Sequence, residues 1–267
     1  MLNGLRLYFR YAGISLRGQM QYRASFAMMA LGNFLVTVIE FLGILALFSR
    51  FGSLREWALP EVALFYGMVS CAFATAEAVA RGFDVFPGMV KSGEFDRVLV
   101  RPRSTTLQIA AQHLQLMRIG RFTQGLIILL WAASALDVAW SPATVLLLVA
   151  AVLGGACLFS GLLVLQATMA FWMTESLEIV NCLTYGGVET AQFPLSIYRP
   201  WFRRVFTFLV PLACINYFPA HAILARRDPL GSPALFQWLA PAIGVIFLLI
   251  TLQIWKVGVR HYRSTGS

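Results

Sequence analysis

The sequence predicts an all-α integral membrane protein with six transmembrane helices. An N-terminal interfacial helix, a short cytosolic helix between spans two and three, and re-entrant or interfacial outer helices between spans five and six complete the expected architecture. Three observations carry this. Of 267 residues, 59% are hydrophobic and only 12% charged, against roughly 25% charged in an ordinary soluble domain. Mean hydropathy is +0.72, and the apolar residues fall in runs that supply the ~20 residues a helix needs to cross a bilayer. Lysine and arginine collect between the runs and near both ends of the chain.

Residues 1–23 interleave Arg6, Arg10, Arg17 and Arg23 with Leu2, Leu5, Leu7, Phe9, Ile14 and Leu16. There is no continuous apolar core and no small-residue cleavage site, so a removed signal peptide is not expected. The spacing suits a helix lying in the cytosolic interface, with a disordered basic tail as the alternative. The six-span body then runs from 24 to 262, with 263–267 as a tail.

Six spans are expected at about 24–48, 60–81, 106–136, 143–172, 177–194 and 235–257. The third and fourth are longer than the hydrocarbon thickness requires, so each should tilt or project. In span three, Gln108, Gln112, Gln115, Arg118 and Arg121 make the first half polar. In span four, Gly154, Gly155, Ala156, Ser160 and Gly161 should allow close helix approach. Trp131, Trp140, Trp172, Trp201, Trp238 and Trp255 fall near span ends, where interfacial aromatics belong.

An even number of spans puts both termini on one side. That side collects Arg6 to Arg23, then Arg81, Lys91, Arg97, Arg101 and Arg103, then Lys256, Arg260 and Arg263, which makes it cytosolic. The connection over 82–104, GFDVFPGMVKSGEFDRVLVRPRS, is polar and short and is punctuated by Pro87, Gly88, Gly93 and Pro102. On the opposite side, residues 194–234 are apolar yet interrupted by Pro194, Pro200, Pro211, Pro219, Pro229 and Pro233. Proline removes a backbone donor, and broken backbone survives in a bilayer only where protein or water covers it. The stretch reads as re-entrant or interfacial, or alternatively as a seventh, kinked span that would put the C-terminus outside.

Ionisable residues inside spans cost roughly 2.5–3.5 kcal/mol each at a helix centre and need partners or water. Glu40, Glu77 and Glu189 are the candidates, with Arg81, Arg118 and Arg121 available to pair. Glu77 stands at i,i+4 to Arg81, the spacing of a local ion pair. Glu40 and Glu189, with Pro194 and Tyr198, are candidates for a translocation path or its gate. Glu175 and Glu178 sit at the cytosolic turn between spans four and five, as a solvated cap or a functional contact.

No enzyme signature is present. Lys91 precedes Ser92 as in a phosphate-binding loop, but Val90 stands where that loop needs glycine. His113, His221 and His261 lie on separate segments, and Cys71, Cys157, Cys182 and Cys214 lack close metal-ligand spacing. No catalytic residue, metal or nucleic-acid partner is expected.

Taken together, the basic N-terminal helix, six spans, the loop GFDVFPGMVKSGEFDRVLVRP and the late run ETAQFPLSIYRPWFRRVFTFLVPLACINYFPA resemble the permease subunit of an ATP-binding-cassette (ABC) exporter of the type-2 class. The resemblance covers nearly the whole chain. It implies a multi-pass subunit of a bacterial plasma (inner) membrane that pairs with a second permease and with a dimer of cytosolic ATPases. ATP and Mg2+ would be bound by those ATPases, with no cofactor in this chain. The cargo would be amphipathic or hydrophobic, moved outward along spans one, two and five in contact with membrane lipid. The 82–104 connection would then be the coupling element, with Phe86, Met89 and Val90 filling a groove on the ATPase inside a rim of Lys91, Glu94, Asp96 and Arg97. A purely solvated loop is the alternative for that segment. The competing function is a self-contained, ion-gradient-driven transporter with Glu40 or Glu189 as carrier, against which no internal repeat is detected.

Overall fold

The computed structural model describes residues 13–14, 17–112, 118–173 and 177–262, and only the backbone of 177–180. Of the expected interfacial helix, 13–14 and 17–21 are helical; the rest of 1–16, Glu175 and the 263–267 tail lie outside the described residues. Among the described residues, four helices are long and apolar enough to cross a membrane: α1 (Arg23–Phe51), α2 (Leu59–Lys91), α6 (Pro142–Met169) and α11 (Ala242–His261).

The helix α2 is the axis of the molecule, buried along most of its length. Pro60 opens it, and the Glu61 carboxylate reaches back to accept the Ala58 N–H at 2.8 Å, as in a capping box. At 33 residues it spans ~50 Å, longer than the ~30 Å hydrocarbon layer. The sequence reading ended span two at residue 81 and placed a loop from Gly82. The helix instead runs on through Pro87 to Lys91. An interior proline costs about 3 kcal/mol, but Phe83, Phe86, Met89 and Val90 are all buried along this extension. At about 1.5–3 kcal/mol for each large apolar side chain, packing outweighs the proline.

Among the described residues, the expected third span contains α4 (Thr105–Gln112) and α5 (Ile119–Ala135), and the expected fifth contains α7 (Leu177–Ala191). α1 packs along α5, where a Cβ on Gly120 would lie 2.3 Å from the Ala30 carbonyl oxygen. The glycines of α6 do what their spacing suggested. A Cβ on Gly244 of α11 would lie 2.0 Å from the Gly154 carbonyl oxygen, so the two backbones cross in contact.

Residues 194–233 form a chain of short pieces. A 3-10 turn (Leu195–Ile197) leads to α8 (Pro200–Arg204), which continues as a π turn (Val205–Leu209); a second 3-10 turn (Leu212–Cys214) leads to α9 (Tyr217–Ile223). The axis bends by 75° between the two halves, the geometry of a broken span or a re-entrant loop. Protein covers the broken backbone: the Asn216 side chain donates to the Ala191 carbonyl and accepts the Tyr217 N–H. Then α10 (Ala234–Leu239) and α11 are separated at Ala240–Pro241 within the expected sixth span.

One end of the bundle is clamped by Arg226. Its guanidinium pairs with Glu61 at 2.9 Å and lies 4.5 Å from the centre of the Trp57 ring. Trp57 Nε1 donates to Ser196 Oγ at 2.9 Å, and Arg55 donates to the Ser196 carbonyl at 3.0 Å. The loop before α2, the start of the broken segment and the loop after α9 therefore share one end. The segment from Phe86 to Val98, Phe171 after α6 and Tyr262 after α11 meet at the other.

Candidate functional site

At the second end, Gly93 adopts φ 70 and turns the chain into α3 (Glu94–Leu99). Only a residue without Cβ takes this left-handed conformation freely. Phe95 and Val98 face inward and are buried. Phe95 meets Phe86 and Tyr262, each at 4.9 Å between ring centres, and Phe171 at 5.7 Å. Trp255 of α11 closes the cluster, 4.8 Å from Phe86 and 5.2 Å from Phe171, and its Nε1 donates to Thr105 Oγ1 at 3.3 Å. A small helix is thus fixed by one aromatic box to α2, α4, α6 and α11.

This corrects two expectations. Phe86, Met89 and Val90 are not available to fill a groove on another protein, because they are buried inside this one. Trp255 is only 1% exposed and is not an interfacial aromatic. What α3 presents outward is Lys91, Glu94, Arg97, Leu99 and Val100, the last 85% exposed. Asp96 lies beside the Tyr262 phenol, which burial and then the Asp96 carboxylate push above its ordinary pKa.

Deeper in the bundle, Glu77, Arg81 and Asp84 share one face of α2. Arg81 pairs with Glu77 at 3.2 Å and Asp84 at 3.0 Å, and donates to the Tyr185 hydroxyl of α7 at 2.7 Å. Arg118, just before α5, pairs with the same Glu77 oxygen at 3.1 Å and donates to Asn33 of α1 at 3.3 Å. Gln166 of α6 donates to Asp84 at 3.2 Å. The i,i+4 pair was legible in the sequence. Asp84, at i,i+3 to Arg81, carried the same kind of local signal and was passed over; Gln166 and Tyr185 carried none, because their partners lie 82 and 104 residues away along the chain.

Glu40 of α1 lies 3.9 Å from Arg121 of α5, whose guanidinium sits 5.1 Å from the centre of the Phe73 ring. Glu189 of α7 is exposed and feels the charges of both Glu40 and Arg121. Two of the path candidates therefore share a region with one cation. Tyr198 folds back to donate to the Thr190 carbonyl at 3.2 Å. Pro194 is buried in the turn after α7 and lines no open face. Glu178 lies in the first turn of α7. Among the described residues, no three His, Cys, Asp or Glu side chains gather to hold a metal ion.

The short α3 is thus bolted to four other helices, with an ion network behind it joining α1, α2, α5, α6 and α7. A family model described as ABC-2 family transporter protein matches residues 34–266. The chain belongs to the ABC-2 transporter family. As an ABC-2 permease it is a multi-pass membrane subunit of an ABC transporter. It is not itself the transporter's ATPase, and the family implies association with one. Comparison with curated proteins and with solved structures gave no match.

Proposed function

We propose that this permease is one half of an exporter, driven by a dimer of cytosolic ATPases that bind ATP and Mg2+. The end bearing Lys91 and both termini face the cytosol of a bacterial inner membrane, and six segments traverse the bilayer. The observation that carries the reading is α3: an exposed strip of Lys91, Glu94, Arg97, Leu99 and Val100 backed by the buried Phe95 and Val98. An apolar centre inside a charged rim suits a compact protein contact. The aromatic box is its anchor, so ATPase closure would displace α2, α6 and α11 together and alternate the access of the path.

A second permease, identical or a sibling, covers the region where Glu40 and Glu189 are exposed, and the path runs between the two halves. The cargo is amphipathic or hydrophobic. Glu77, Arg81, Asp84 and Arg118 are spent on one another, which leaves them unavailable to a small hydrated ion.

The test is the double substitution Leu99→Asp, Val100→Asp, which touches neither the core nor a span. It should release the ATPase on purification in mild detergent or uncouple hydrolysis from transport, with membrane insertion unchanged. Full ATPase retention with unchanged transport would sink the assignment. For orientation, cysteine in place of the exposed Arg227, in a background without the native cysteines, should react with an impermeant thiol reagent on intact cells. Labelling only after lysis would reverse the topology.

A further inference from the structure

At the end clamped by Arg226, the bent segment and α10 enclose a cavity of about 510 Å³, within the range of small-molecule sites. Arg203, Arg204 and Thr207 bring polar groups to a lining that is otherwise largely apolar and includes Phe208, Phe218 and Phe236. Phe208 is 82% exposed at the mouth, and α8 passes into the π turn beneath it, a backbone irregularity often found at functional sites.

The charge state is the second observation. Arg81, Arg118, Arg121 and Arg226 each pair with a carboxylate. Arg203 and Arg204, adjacent in sequence and both at this cavity, make no ion pair among the described residues. The nearby Asp228 carboxylate is committed elsewhere. It accepts the Leu230 N–H at 2.9 Å, the Tyr217 hydroxyl at 3.1 Å and the Ser232 N–H at 3.2 Å. Two adjacent guanidiniums in an otherwise apolar lining leave a place for an anion that carries hydrocarbon.

We propose that this cavity binds an anionic phospholipid of the surrounding bilayer. The phosphate diester lies against Arg203 and Arg204 and an acyl chain lies along Phe208, Phe218 and Phe236. Guanidinium recognises phosphate oxygens through paired, charge-assisted hydrogen bonds. Exposed Trp201 and Trp238 on the flanking helices would hold the mouth at headgroup depth. The site needs neither an ATPase nor a transport cycle, so it stands or falls apart from the exporter reading.

The experiment is lipid binding to the delipidated full chain in detergent, read by native mass spectrometry, with phosphatidylglycerol and phosphatidylcholine of identical acyl chains. One phosphatidylglycerol should bind roughly tenfold tighter than phosphatidylcholine, because both carry the phosphate diester but the choline ammonium cancels its charge and is repelled by the two guanidiniums. Millimolar inorganic phosphate should not displace it, because free phosphate cannot use the apolar lining. Arg203→Ala with Arg204→Ala should abolish the preference. If that variant is not monodisperse, Arg204→Gln should reduce the preference and Phe208→Glu should remove it by placing a carboxylate at the mouth, since both side chains are exposed. Equal binding of the two lipids, displacement by inorganic phosphate, or an undiminished preference in the arginine variants would overturn the proposal.

Discussion

Replacing Glu77 by leucine tests whether the ion network is a structural joint. Glu77 is 1% exposed and receives Arg118 at 3.1 Å and Arg81 at 3.2 Å on one oxygen. Glu77, Asp84, Arg81 and Arg118 form a neutral set, so Glu77→Leu leaves one positive charge uncompensated in a largely buried site. Removing one partner of a buried pair costs about 3–5 kcal/mol. At roughly 2–4 °C per kcal/mol for a chain of similar size, the melting temperature should fall by about 6–20 °C. Adding Arg118→Met restores neutrality, since Arg81 keeps Asp84 at 3.0 Å. The double variant should therefore melt above Glu77→Leu although it carries one more substitution. Thermal unfolding in detergent, followed by tryptophan emission, reads both. A Glu77→Leu melting point within 2 °C of wild type, with ~2 °C taken as measurement scatter, or a double variant that melts below the single, would refute the reasoning.

Trp255→Ala opens the aromatic box and should cost about 3–5 kcal/mol; a detergent melt checks this, and an unchanged melt would mean that the box does not hold α3. Gly244→Ala should prevent stable folding, because its Cβ would lie 2.0 Å from the Gly154 carbonyl oxygen, whereas Gly43→Ala, with nothing within 4 Å, should be neutral or slightly stabilising; relative yields of monodisperse protein decide. Asp228 has burial working to raise its pKa, but hydrogen bonds from Ser232, Leu230 and Tyr217 outweigh it and hold the group below the ordinary aspartate value. Its contribution is complete at neutral pH and lost as pH falls from that ordinary value through the lowered one. Asp228→Asn should consequently be less stable than wild type at pH 7, with the difference shrinking below about pH 4.

The α2 extension shows where local rules stop. Gly82, Pro87, Gly88 and a cluster of charges are turn signals, and the helix runs through them because Phe83, Phe86, Met89 and Val90 find partners on other elements. Only Gly93, at the true boundary, takes the left-handed conformation that the glycines suggested. The site followed the same division. Lys91, Glu94 and Arg97 stand exposed as their charges imply, and the apolar residues read with them turned inward.

Composition and the lengths of the apolar runs determined by themselves that this is a helical membrane protein. The loop and proline-rich motifs pointed to its family, since hydrophobicity and proline chemistry act residue by residue. The glycines of α6 announced a close crossing for the same reason, as a missing side chain needs no partner to be recognised. Tertiary structure alone decided which helix Gly154 meets, that Trp255 is core, that Glu77 is shared by two arginines, and that Arg203 and Arg204 form no ion pair among the described residues. Each depends on side chains brought together from distant parts of the chain, and the energy of such contacts is set by geometry that no single segment contains.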